Sequence, residues 1–464
     1  MLLLDIAERA SQIRFDGIPE AALATARLAI LDTVGVTLAG SSEDCVRIVA
    51  RAAGLSPGVA SVFGTDRRAG ILDAALVNGT ASHALDFDDC SNTMGGHPSA
   101  PIVPALWALA ERDGLGGRAF LEAYVAGFEV ETMIGRAVNF HHYEKGWHPT
   151  ATLGTFGAAA ACSRLLGLDA EAFARALAIA ASMASGLKAN FGTMTKPFHV
   201  GHCSRNGLFA ALLAAEGQSA KPGALEDPQG FLNVYNGAGS YDTTRLTEGF
   251  ADPYDLVEPG VAFKRHPCCA STHPALDALL AIMADHGLQA DDIASVRSWT
   301  HPRRLRHTNR PDPRSGLDGK FSVQYVLARA ALEGSVRLDC FTDAAVRDPT
   351  VRAFMARIHA EPHPDAVMET DEHFFADVRV TTGNGSVFEA HVDRPLGRDR
   401  NHPLPPGALE TKFDDCAALV MDRDAARAFR ARILELDTVP DLARLGNEMR
   451  AGLDRPGLRL AGAF

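Results

Sequence analysis

A mainly α fold, in which a large helical domain is interrupted by a smaller α+β domain and then resumes, is predicted by three features of the chain. Apolar residues recur at helical spacing through roughly the first 260 positions, with almost no strand signal. Alternating, β-rich segments appear only after about residue 262. A proline-rich connector, Asn401-His402-Pro403-Leu404-Pro405-Pro406-Gly407, then leads back to helical texture. The expected division is 1–262 plus 404–464 for the helical domain and 263–403 for the insertion. A chain of 464 residues also exceeds one ordinary core, which favours two domains of unequal size.

Residues 19–39 read as the first long helix, with Ala21, Leu23, Ala26, Leu28, Ile30 and Val34 on a broad apolar face and Gly40 as its stop. Further helical patterns cover about 70–85, 100–112, 117–138, 151–167, 170–186 and 204–216. Gly154, Gly157 and the run Ala158 to Ala161 leave room for a neighbouring backbone. A helix so apolar all round belongs in the middle of a bundle. Within the insertion, Ala275 to Leu288 and Ser322 to Leu332 read as helices and Ala294 to Thr300 as a strand. Asp377 to Thr382 and Ser386 to Val392 alternate around Gly383-Asn384-Gly385, the pattern of a hairpin. Helices return from about 408 to 455.

The net charge of -12 argues against a nucleic-acid partner. Eight cysteines without any C-x-x-C spacing read as free thiols in a reducing compartment, with neither a zinc nor a redox motif. Met1-Leu2-Leu3-Leu4 is followed at once by Asp5 and Glu8, so no leader is expected, and no uninterrupted apolar run reaches 18 residues. The expectation is a cytoplasmic protein without a membrane partner.

Four polar segments interrupt the helices, each with His, Lys or Asp beside Pro or Gly. Asp86-Phe87-Asp88-Asp89 closes a helix-like stretch, where acidic groups oppose the helix dipole and so need a reason. It is a solvated acidic loop, or a metal site without its remaining ligands, or else Asp86 acts as an acid or base or holds His97 in the following loop. His148 stands just before the Ala-rich helix, with Thr150 expected as its N-cap, so a neutral imidazole and a bound anion would both be favoured there. The alternative is a histidine that serves only in the capping loop. His141, His142 and His148 do not form a metal-ligand spacing, and no metal is expected.

Lys196 precedes Pro197, which predicts an extended residue outside a helix and suited to gripping a carboxylate, against the plainer reading of a surface lysine. A Schiff-base role lacks a companion phosphate loop, so no cofactor is expected. Lys264 stands at the expected boundary between the domains, a place that suits a cleft as well as a hinge, with Cys269 and His273 close behind. Two lysines, two or three histidines and an aspartate suit removal of a weakly acidic C–H proton beside a carboxylate. Such sites dehydrate, epimerise or decarboxylate without a cofactor. A non-catalytic helical binding protein and a thiol-dependent enzyme using Cys269 are the readings from other classes.

The ordered segments also resemble the MmgE/PrpD family. They include Leu31-Asp32-Thr33-Val34-Gly35, Asn78-Gly79-Thr80-Ala81-Ser82-His83-Ala84-Leu85-Asp86-Phe87-Asp88-Asp89, His97-Pro98-Ser99 and Gly146-Trp147-His148-Pro149-Thr150. Lys196-Pro197-Phe198-His199, Lys264-Arg265-His266-Pro267-Cys268-Cys269, Lys320-Phe321-Ser322-Val323-Gln324-Tyr325 and Lys412-Phe413 continue the match. The family contains 2-methylcitrate dehydratase, cis-aconitate decarboxylase and iminodisuccinate epimerase. The resemblance implies an all-helical bundle domain formed by both chain ends, an inserted α+β lid domain, a homodimer and a small polycarboxylate substrate. It carries Asp86, His97, His148, Lys196 and Lys264 over as catalytic residues. Lys196, Lys264 and Tyr325 are the substrate ligands it implies, and Cys269 and His273 join them as candidates because they follow Lys264 closely enough to face the same cleft. A dehydratase-like lyase is the leading expectation, with an epimerase of an imino- or amino-dicarboxylate, or a decarboxylase, as alternatives. Cys269 stands where the decarboxylase branch has a histidine, and Cys90 replaces a hydroxyl residue.

Overall fold

The computed structural model describes residues 1–367 and 374–454. Helices dominate, and strands are few. The chain divides into two compact units: Met1–Phe263 together with the chain from Pro406 onward, and Lys264–Pro405.

The first unit is built from α1 (Leu2–Gln12), α2 (Glu20–Gly40), α3 (Asp44–Ala53), α4 (Ile71–Ala84), α5 (Ser99–Asp113) and α6 (Gly117–Val138), with a short α7 (His141–Lys145). It continues through α8 (Pro149–Leu165), α9 (Ala170–Met183) and α10 (Thr195–Ala215). The chain after Pro406 adds the helices Ala408–Ala417, Arg423–Leu434 and Leu442–Ala451. Its two-residue strands β1 (Ala60–Ser61) and β2 (Arg68–Ala69) pair antiparallel. One apolar cluster joins α2, α5 and α6 to the C-terminal helices through Trp107, Phe120, Phe413 and Phe429. A second joins α1, α6, α8 and α9 through Leu3, Ile134, Phe156 and Phe173.

By length and composition α2 is apolar enough to cross a membrane. Every residue from Ala29 to Gly40 is buried inside the unit, so its apolar character on all faces is accounted for by protein. The all-round apolar pattern of α8 has the same cause: Pro149 to Ser163 are all buried. Glycines set how closely the central helices approach. A Cβ on Gly79 of α4 would lie 2.9 Å from the Cα of Gly201 on α10. This contact brings the C-terminal end of α4 beside the N-terminal end of α10.

The second unit carries a four-stranded sheet in the order β4-β3-β5-β6. β3 (Ile293–Thr300) pairs parallel with β4 (Ile358–Pro362) and antiparallel with β5 (Ala376–Thr382), which pairs antiparallel with β6 (Val387–Val392). The hairpin around Gly383-Asn384-Gly385 is therefore present. The helix His273–His286 packs on β5 and β6 and, with Val323–Glu333, covers a core of Leu276, Leu279, Val296, Val326 and Val380.

Two local expectations are corrected. Lys196 is not extended; α10 begins at Thr195, well before the expected start near 204. Pro197 falls in its first turn, where a helix needs no backbone donor, so proline starts this helix instead of excluding it. Nor does Thr150 cap α8: His148 is the N-cap and Pro149 the first helical residue. The helices α1 and α3 went unanticipated. Residues 455–464 of the expected C-terminal portion lie outside the described residues.

Candidate active site

The site is assembled in the first unit at the junction of α4, α8 and α10. α4 ends at Ala84, and two residues later Asp86 takes a left-handed backbone (φ 52°), unusual for a residue with a Cβ. The reversal aims the Asp86 carboxylate at Lys196, whose Nζ lies 2.5 Å from Oδ1. Both side chains are more than nine-tenths buried. A buried ion pair of this kind is held by mutual compensation, so loss of either partner strands a charge.

Two carboxylates further along have different partners. Asp88 Oδ2 lies 2.7 Å from His83 Nδ1 and 3.1 Å from His97 Nδ1. Burial pushes Asp88 up, but the two facing imidazoles outweigh it and hold the carboxyl well below its ordinary range. Asp89 accepts from Ser99 Oγ at 2.5 Å, and Ser99 Oγ meets Tyr124 Oη at 2.7 Å. There burial wins, with Asp32 and Asp88 adding to it, and Asp89 is held well above the usual carboxylate range. Adjacent aspartates thus carry opposite proton preferences because only one faces imidazoles.

Four imidazoles gather around this loop. His83 and His97 lie edge to face with ring centres 4.6 Å apart, and His83 and His148 are 5.5 Å apart. His148 Nδ1 lies 3.3 Å from His199 Nδ1, and the His148 ring meets Phe191 edge-on at 4.9 Å. Burial, reinforced by His83 and Lys196, lowers His148 well below the ordinary histidine value. Burial likewise lowers His83 and His199 to about 4. These rings are neutral at physiological pH and able to accept a proton. His97 Nε2 lies 3.9 Å from Asp86 Oδ1 and its Nδ1 lies 3.7 Å from Cys90 Sγ.

Asp86, His97, His148 and Lys196, expected from sequence, thus meet in one buried cluster. Asp88 makes the closer contact to His97, in the orienting position expected of Asp86. His83, Asp88 and His199 were missed, although His199 lies three residues after Lys196 and shares its helix face. Thr150 serves the site differently from the cap expected of it, accepting from the His97 backbone N–H at 3.1 Å. Among the described residues, His83, Asp88 and His97 offer metal-ligand atoms within 4.8 Å of one another. Both histidine Nδ1 atoms of that set already lie within hydrogen-bonding distance of the one carboxylate oxygen.

The remaining expected residues lie in the second unit. Lys264, His266, His273 and Lys320 are all buried. His273 Nε2 lies 3.3 Å from the Cys268 carbonyl oxygen, and the Cys269 N–H donates to the Lys320 carbonyl at 2.9 Å. Burial, with His266 and Lys264 nearby, holds His273 well below its ordinary value. Cys269 is partly exposed. Tyr325 is fully buried in the core of this unit, donating to the Cys340 carbonyl and accepting from Arg329 Nε at 3.0 Å. These two hydrogen bonds hold its hydroxyl within that unit.

Family models described as the MmgE/PrpD N-terminal domain and the MmgE/PrpD C-terminal domain match residues 4–244 and 266–438. Human cis-aconitate decarboxylase is 31% identical over 431 residues, covering 90% of this chain and 88% of its own. Cis-aconitate decarboxylase of Aspergillus terreus is 27% identical, covering 95% of this chain and 94% of its own. The mitochondrial 2-methylcitrate dehydratase of Yarrowia lipolytica is 26% identical, covering 88% of this chain and 82% of its own.

Proposed function

We propose that this chain, which belongs to the MmgE/PrpD family of enzymes, is a cofactor-independent lyase that removes a proton beside a carboxylate of a small di- or tricarboxylate. The observation that carries the reading is the buried Lys196–Asp86 pair set among neutral imidazoles. An ammonium beside a substrate carboxylate stabilises the enediolate formed when the C–H proton leaves. His148, kept neutral by burial, is the assigned base, and His97 the partner that exchanges the second proton, with Asp88 fixing its Nδ1. Asp86 pairs with Lys196 and is placed to act as a further base.

From the enediolate, loss of a β-hydroxyl that takes a proton from an imidazolium gives water and an alkene. In the decarboxylation branch the enediolate is first reprotonated by an imidazolium. Loss of carbon dioxide then leaves its electron pair on a carbanion delocalised into an adjoining carboxylate-bearing double bond, and this carbanion takes a second proton from an imidazolium. The relatives' names divide between these two outcomes. Lys264, with Cys269 and His273, is assigned to carboxylate binding in the inserted unit, the lid of the family pattern. Family resemblance is the support for that lid, for a bundle architecture in the helical unit and for a homodimer, while the acidic net charge and the free cysteines are the support for a cytoplasmic location.

The reading is tested by incubating the protein with 2-methylcitrate, citrate, cis-aconitate and iminodisuccinate and identifying products. Water loss or carbon dioxide release from one of them supports it. Inversion without loss of either would make the enzyme an epimerase, and no conversion of any would contradict the lyase assignment.

A further inference from the structure

The C-terminal segment reaches back to the catalytic loop through one side chain. Lys412, on the helix Ala408–Ala417, is 8% exposed. Its Nζ lies 2.7 Å from the Phe87 carbonyl oxygen and 2.6 Å from Asp32 Oδ1 on α2. It also stands 3.8 Å from the centre of the Phe87 ring. Three elements far apart in sequence, all in the first unit, therefore meet on one ammonium.

Phe87 lies between Asp86, which pairs with Lys196, and Asp88, which faces His83 and His97. α4 has already ended, so helix geometry no longer supplies a donor for its carbonyl. The preceding residue holds a left-handed backbone that a residue with a Cβ disfavours, and such a conformation persists only where its surroundings over-determine it. Burying an ammonium is costly unless its partners are well placed, so a hydrophobic side chain would serve packing alone better. We infer that Lys412 is a positioning residue of the active site: it pins the Phe87 carbonyl so that Asp86 stays turned toward Lys196 and Asp88 toward its two imidazoles. The C-terminal segment beyond the insertion is then needed to complete the site. The competing structural role would be neutralisation of Asp32 only.

Activity measurements here rest on the lyase reading, so the test pairs them with one that does not. Lys412→Met, Asp32→Asn/Lys412→Met and Lys412→Arg are compared with the unaltered chain by steady-state kinetics, hydrogen exchange over Asp86 to Cys90, and melting temperature. The Cys90 amide, which donates to the Ala262 carbonyl at 2.7 Å, is one reporter of loop order. Lys412→Met should lower kcat about 10–100-fold with KM within about threefold, as expected for misplaced catalytic groups, and speed exchange in the loop. The double variant, with no buried charge left uncompensated, should recover the melting temperature while kcat and loop protection stay low. Lys412→Arg, which keeps a donor, should retain more of both than Lys412→Met. Recovery of wild-type rate and protection in the double variant would overturn the inference, as would unchanged loop exchange in Lys412→Met. If the unaltered chain turns over none of the carboxylates, the lyase reading fails, and the exchange comparison still decides the role of Lys412.

Discussion

The two units hold polar clusters of different composition. In the first, Asp86 and Asp88 are matched to Lys196, His83 and His97, so cations and proton acceptors face carboxylates at 2.5–3.1 Å. In the second, Lys264, Lys320, His266 and His273 are all buried, and Asp277 lies 3.4 Å from His266 and 3.0 Å from Arg265. A charge-matched set can hold proton positions, which is what the proposed reaction step needs. The second set is the one proposed to bind a substrate carboxylate, through Lys264, Cys269 and His273. Mutations in the first should therefore act on kcat and those in the second on KM.

The largest effects should come from Lys196→Ala and His148→Ala, each lowering kcat about 10²–10⁴-fold, the usual range for a general acid or base. A pH profile sharpens this. Because burial lowers the His148 pKa, the neutral base survives below the ordinary histidine range, so the acid limb of kcat/KM should fall below pH 6.5. An acid limb above that value would remove His148 from the role of base. Asp88→Asn should come next, lowering kcat by about 10–100-fold through misplaced His97 and His83, with little change in KM. Lys264→Met should raise KM roughly tenfold while kcat stays within about threefold, which steady-state kinetics on the accepted substrate would read. A kcat loss as large as that of Lys196→Ala would break the division between the clusters. Smallest of all, Tyr325→Phe should cost about 1 kcal/mol of stability, seen in denaturant unfolding, and leave KM unchanged.

The mainly helical fold was legible because burial dictates periodicity. The pattern over 117–138 became α6 at the same bounds, and the turn Gly383-Asn384-Gly385 fixed the hairpin. Positions that depend on neighbours in space were not legible. Lys196 looked extended because Pro197 follows it, but a proline in the first turn costs a helix nothing it had. Asp86 looked like the partner of His97 because His97 lies in the loop that follows it, yet with the left-handed turn at Asp86 it is Asp88 that makes the closer contact. His83 was hidden within an apolar helical stretch, and only the fold shows its ring 4.6 Å from His97. The gathering of Asp86, His97, His148 and Lys196 was foreseeable from residue chemistry; their pairing was not.

The central claim, that the cluster in the first unit abstracts a proton beside a carboxylate, is tested most directly by proton NMR in deuterated water with cis-aconitate, citrate and 2-methylcitrate. The account predicts deuterium entering next to a carboxylate of one of them, and its loss in both His148→Ala and Lys196→Ala. Incorporation that persists in both variants, or none with the unaltered enzyme on any of the three, would contradict it.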